Sequence, residues 1–250
     1  MHIAPRFILG LLPPHPRKPD ALGLRMSVND AERLRQALLT DAGNYYYSAL
    51  VSFFDAFLGL DRRLYTWSTV KFYYSVFYSL RCLLALKGHC IYYCNDKPFT
   101  CSCGVDGAPS VACKGTTHKV VLNLFGDVFA GDRLLSQPIA GEPALEWLTD
   151  RREEANYKQG RFLDPDAPAH FIQVTHLGLR RAINAYLTEP SALYVFDADH
   201  AMIAFPLAVL LRARAELKSQ NLQVDTKGSR FLSALGRDKG GRIAGLDQLF

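Results

Sequence analysis

Apolar positions recur three and four residues apart along most of this chain, and that spacing predicts a mainly helical protein. The pattern is clearest between Thr66 and Lys87, a stretch without glycine or proline. There Val70, Tyr73, Tyr74, Phe77, Leu80 and Leu84 keep the helical period, and Gly88 stands where a C-terminal glycine cap belongs. Core packing accounts for most of these aromatics. Upstream, Ser27 or Asn29 can cap a helix over Asp30–Leu39, with Leu34, Ala37 and Leu38 on one face. A second, aromatic-rich helix is expected over Asn44–Leu58, ending near Gly59.

Downstream of Thr117, Val120, Val121, Leu124 and Phe125 carry a helix to about Phe129. Pro143 suits the first turn of another, which runs through Leu145, Leu148, Arg152 and Tyr157 until Gly160 and the Asp164-Pro165-Asp166 turn. Further helix is expected over Pro168–Leu187 and on to Ser219, where Pro206 either kinks a helix or starts one.

Three stretches break the period. The first twenty residues hold five of the thirteen prolines, with Lys and Arg between them, and predict an extended arm over residues 1–26. Residues 89–117 are rich in Cys, Gly, Pro, Ser and Thr and predict an irregular insertion with a short hairpin. The last thirty residues combine Lys227, Arg230, Arg237, Lys239 and Arg242 with several glycines, which predicts a loose basic tail. The expected organisation is therefore all-α: the arm, a helical core over 27–165 carrying the 89–117 insertion, and a helical extension with its tail over 166–250.

Composition changes this picture little. The 250 residues are 49% hydrophobic and 21% charged, an ordinary globular mixture with a formal charge of +5. A mild basic excess suits an acidic partner such as RNA, although many proteins with that excess bind none. Phe7–Leu12 is a short apolar run broken by Pro13 and Pro14, and Ala201–Leu211 is too short to span a bilayer, so the expectation is a cytoplasmic protein without a membrane role.

In a reducing compartment the six cysteines are expected to bind metal or to be buried, not to pair. Cys94, Cys101, Cys103 and Cys113 fall within twenty residues and are candidate ligands for a structural zinc that would stiffen the insertion. Against this, the spacing is not that of two Cys-x-x-Cys knuckles, and incidental thiols explain it equally. Cys82, inside the long helical run, is expected in the core.

Candidate chemistry centres on Arg151 and Arg152. Arg152 and Asn156 are four residues apart and share a face of a regular helix, with Arg151 and Tyr157 flanking it. A guanidinium offers a rigid fork of donors for a phosphate. The competing explanation pairs both arginines with Glu153, Glu154 or other acids on a solvated surface. His118, in Gly115-Thr116-Thr117-His118-Lys119, stands at a helix start, where the dipole favours phosphate and lowers a histidine's proton affinity. It is a candidate acid or base, or else a packing residue; His170, His176 and His200 have no matching context. Lys119 and Lys158 add positive charge beside these groups. A phosphate-cradling glycine loop, a serine nucleophile elbow and a His-Glu-x-x-His pair are all missing from the sequence.

Two segments carry a family resemblance. Trp67-Ser68-Thr69-Val70-Lys71-Phe72-Tyr73-Tyr74-Ser75-Val76-Phe77, continuing through Leu83-Leu84-Ala85-Leu86-Lys87-Gly88, resembles the Tyr-Tyr-small helix of HEPN domains. Arg152-Glu153-Glu154-Ala155-Asn156-Tyr157 is similar to that family's final core helix. The resemblance covers roughly residues 30–160 and implies a bundle of four or five helices, usually dimeric, with the Arg-bearing helices sharing a cleft. It implies either a metal-independent endoribonuclease of a defence or toxin–antitoxin system, or a non-catalytic subunit docked on an ATPase, nuclease or nucleotidyltransferase. In the nuclease reading Arg152, Asn156, Tyr157 and His118 are catalytic, Arg151, Lys119 and Lys158 bind RNA, and no cofactor takes part. The chain departs from the nuclease pattern at one point: where a His is expected after the arginine stand Asn156, Tyr157, Lys158 and Gln159. Neither Asn nor a neutral Tyr is a natural general base at neutral pH.

Overall fold

The computed structural model describes residues 2–104, 109–238 and 240–250. It is mainly helical, with small sheets only, and among the described residues no helix is long and apolar enough to cross a membrane. The chain forms two compact units. One comprises the described residues of 1–45 and 80–129, the other those of 46–79 and 130–250. The division falls inside the two longest helices, α3 (Val28–Asp61) and α4 (Tyr65–Leu86), and not at residues 26 and 165.

The first unit begins with two helices where an extended arm is predicted: α1 (Ile3–Leu11) and α2 (Lys18–Leu22). The physical reason lies in a residue far along the chain. Asp41, buried in α3, accepts hydrogen bonds from the backbone N–H groups of Ile3 and Ala4 at 3.0 and 2.9 Å, so a carboxylate satisfies the α1 N-terminus. Pro5 and Pro19 fall in the first turns of α1 and α2, where proline costs a helix nothing. Ser27 caps α3 in a reciprocal box with Asp30: the Asp30 N–H donates to Ser27 Oγ at 3.1 Å, and the Ser27 hydroxyl donates to Asp30 Oδ2 at 2.7 Å. The helix then continues without the break expected between residues 39 and 44. Ala42, Tyr45 and Tyr46 are all buried and carry its apolar face past Gly43.

The insertion is more regular than predicted. Strands β1 (His89–Cys94) and β2 (Lys97–Ser102) form an antiparallel hairpin, and β3 (Val111–Ala112) pairs with β2. Asn95 and Asp96 both have positive φ, 48° and 59°, as a two-residue turn that matches strand twist requires. Pro98 faces Tyr93 two positions from the turn, where the ladder asks for no N–H from it. Helix α5 (Thr117–Val128) follows at the predicted place.

The second unit packs aromatic residues of α3 and α4 against later helices. Phe53 meets Phe72 at 5.5 Å, and Phe72 meets Phe171 at 6.2 Å. Gly59 lies in α3 where an added Cβ would collide with Ser68 Oγ, whose hydroxyl donates to the Ala56 carbonyl at 2.9 Å. Helix α6 (Ala144–Glu153) passes into a π-helical turn over Glu154–Lys158. The single helix expected over 168–187 is two, α7 (Ala169–Leu177) and α8 (Leu179–Thr188), parted at Gly178 with φ +86°. Helix α9 (Ala201–Ser219) runs through Pro206. The expected loose tail contains a helix, α10 (Thr226–Leu235), capped by Asp225, which accepts from the Gly228 N–H. Lys239 lies outside the described residues.

Candidate functional site

The arginine helix departs from a regular α-helix at its C-terminal end. The π turn replaces i→i+4 with i→i+5 bonding, so the four-residue Arg152–Asn156 relation no longer holds a shared face. Arg152 instead comes to lie 5.8 Å from the ring of Tyr157, five residues on. It is 8% exposed, with its guanidinium 4.9 Å over the ring of Tyr73 on α4 and 4.0 Å from the Glu153 carboxylate. Burial raises the Tyr73 phenol above its ordinary pKa, opposed by hydrogen bonds to Thr149 and Arg152 and by the Arg152 charge. The Tyr-Tyr-Ser helix and the arginine helix thus meet through a buried cation–π contact. Asn156 is half-buried, while Tyr157 and Lys158 are exposed.

Arg151, not Arg152, faces open space. It lines a cleft of about 240 Å³ together with Tyr65, Thr66, Thr69, Glu154, Asp166 and His170. Its guanidinium is held 5.6 Å over Trp147 and pairs with Glu154 at 3.3 Å. That ion pair lacks hydrogen-bond geometry, and the buried Nε has no hydrogen-bond partner. Glu154 occupies the Nε side of the guanidinium, so an acceptor in the cleft would meet its terminal amino groups.

His170 is the residue that sequence reasoning passed over. It stands nineteen positions after Arg151, far outside the window in which a partner histidine is expected, and only the packing of α7 against α4 brings it in. Its Nε2 lies 3.0 Å from Thr69 Oγ1. The Thr69 hydroxyl donates its one proton to the Tyr65 carbonyl at 3.0 Å. With Nε2 carrying the hydrogen and donating to Thr69, both contacts are satisfied and the lone pair is left on Nδ1. Burial, reinforced by the nearby Arg151 charge, pushes His170 down to about 3, so the ring is neutral at neutral pH although part of its surface stays accessible. Thr66 of that wall is tied to Asp164, which accepts from the Thr66 N–H at 3.2 Å and from the Thr66 hydroxyl.

The remaining candidates belong to the first unit. His118 and Lys119 occupy the first turn of α5, half-buried and exposed respectively; the N-cap Thr116 makes no side-chain cap bond. The four proposed zinc ligands are not brought together. Cys94 pairs with Lys97 at the turn end of the hairpin and its thiol donates to the Pro16 carbonyl at 3.3 Å. Cys101 pairs with Cys90 four residues further along the strand, about 13 Å away at 3.3 Å per residue. Cys113 contacts Thr100 on the sheet face opposite Cys101, and Cys103 packs beside Gly88. Among the described residues no three His, Cys, Asp or Glu side chains are grouped to hold a metal ion. Cys82 is fully buried, as expected. Comparison with protein families, with curated proteins and with solved structures finds no match for this chain.

Proposed function

We propose that this chain is a HEPN-like, RNA-directed protein whose phosphodiester site is the Arg151–His170 cleft. One observation carries this reading: the Arg151 guanidinium, on the helix that resembles the HEPN arginine helix, and the neutral imidazole of His170 line one cleft. Arg151 presents its terminal amino groups to a non-bridging phosphate oxygen, while Glu154 stands against its Nε. His170 Nδ1 accepts the proton of a ribose 2′-hydroxyl, and the incoming phosphate charge raises the proton affinity that burial and Arg151 depress. Thr69 holds the ring in that tautomer. Attack of the 2′-oxygen on the adjacent phosphorus forms a 2′,3′-cyclic phosphate and breaks the bond to the 5′-oxygen of the next nucleotide, which leaves as a hydroxyl with a proton from solvent water. The guanidinium stabilises the negative charge that gathers on the non-bridging oxygens. No metal is required by this chemistry.

A second reading, a non-catalytic HEPN-like subunit that binds RNA or a partner protein, is favoured by the low basicity of His170. Incubation of the protein with total cellular RNA in chelator separates the two. Cleavage by wild type that is lost in both Arg151→Ala and His170→Gln supports the nuclease; binding without cleavage supports the subunit. Retained binding and cleavage in folded Arg151→Ala removes the proposed site.

A further inference from the structure

The segments that flank the cleft expose two large aromatic rings and three arginines, interleaved with Asp61, Asp164 and Asp166. Trp67, in the first turn of α4, is 46% exposed, and Phe162, just beyond the π turn, is 41% exposed. The two rings meet edge to face at 5.8 Å with an angle of 88°, so each fixes the other while remaining open to solvent. Arg62 and Arg63 precede Trp67 within five residues and Arg161 adjoins Phe162, all three exposed. The same segments supply Thr66 and Leu163 to the cleft wall.

We infer that Trp67 and Phe162 form a stacking platform for unpaired bases, and that the ligand of this unit is single-stranded RNA lying with its bases on the two rings. This rests on the function proposed for the cleft and adds the form of its substrate. A purely apolar protein partner would gain nothing from three cations beside the rings. A duplex keeps its bases stacked internally and offers only phosphates. An unpaired strand uses both features, because every base has a π face and every linkage a negative charge.

The test uses fluorescence anisotropy with a labelled 12-nucleotide RNA in three forms: single-stranded, annealed to its complement, and carrying abasic riboses at its centre. Wild type is expected to bind the single strand at least tenfold tighter than the duplex. Trp67→Ala and Phe162→Ala should each weaken single-strand binding by about fivefold or more, and Trp67→Tyr should restore most of it. The abasic strand should bind wild type and Trp67→Ala alike. Circular dichroism serves as the folding control, since both side chains are surface residues.

If Trp67→Ala binds as wild type does while Arg151→Ala releases the RNA, the platform is overturned and the cleft stands. If wild type binds no RNA in any form, both fall. If Trp67→Ala changes only the mass in light scattering, the rings form a contact between protein molecules and the platform is overturned.

Discussion

The Arg152 guanidinium lies 4.9 Å over the Tyr73 ring, joining the arginine helix to the Tyr-Tyr-Ser helix through a contact that water barely reaches. Neighbouring arginines have therefore taken different tasks. Arg152 holds two helices together, and Arg151 lines a cleft.

This division predicts opposite phenotypes. Arg152→Ala should lower stability by about 2 kcal/mol or more, from the desolvated cation–π contact and the lost packing, read as a shift of the urea midpoint. RNA binding per folded molecule should be little changed. Arg151→Ala should do the reverse. Equal stability loss in both variants would refute the division.

His170 ties stability to pH. Its folded-state affinity for protons is depressed, from the ordinary 6.5 to about 3, so the unfolded chain binds the proton more tightly. The stabilising contribution of the neutral ring is complete above about pH 6.5 and is lost progressively as pH falls towards 3. Chemical denaturation between pH 7.5 and 4 should show a decline that is shallower in His170→Gln. Parallel curves would show that His170 does not carry it.

Asp41 anchors the N-terminal helix. Asp41→Ala leaves the Ile3 and Ala4 N–H groups without their partner and should cost about 2 kcal/mol. Limited proteolysis should then cut first within residues 3–24. An unchanged cleavage pattern would mean that other contacts suffice to hold α1.

The hairpin register separates the thiols into classes. Under native conditions Cys103 and Cys113 should react with a thiol reagent in preference to the buried Cys82, Cys90, Cys94 and Cys101, which label on unfolding. Chelator should leave the melting temperature unchanged, because Cys94 and Cys101 stand at opposite ends of the hairpin. A chelator-dependent drop of several degrees would restore the zinc expectation.

Helix content, the α4 boundaries, the Ser27 cap and the start of α5 were legible in the sequence because each depends on neighbours within a turn: a capping hydroxyl, a terminal glycine, an apolar residue every third or fourth position. The candidate site was legible only in part. Arg151 was in view as a phosphate binder, but the i,i+4 spacing assigned the leading role to Arg152. The π turn that brings Tyr157 to Arg152 left no mark in the residue pattern.

What the sequence by itself determined is the local order: where most of the helices start and stop. Only the tertiary structure decided which arginine is buried and that His170 stands with Arg151. It also decided that Asp41 turns a proline-rich arm into a helix. The physical reason is common to these. Burial, a paired helix terminus and a depressed pKa all arise from atoms distant along the chain, and no local period encodes which distant atoms will meet.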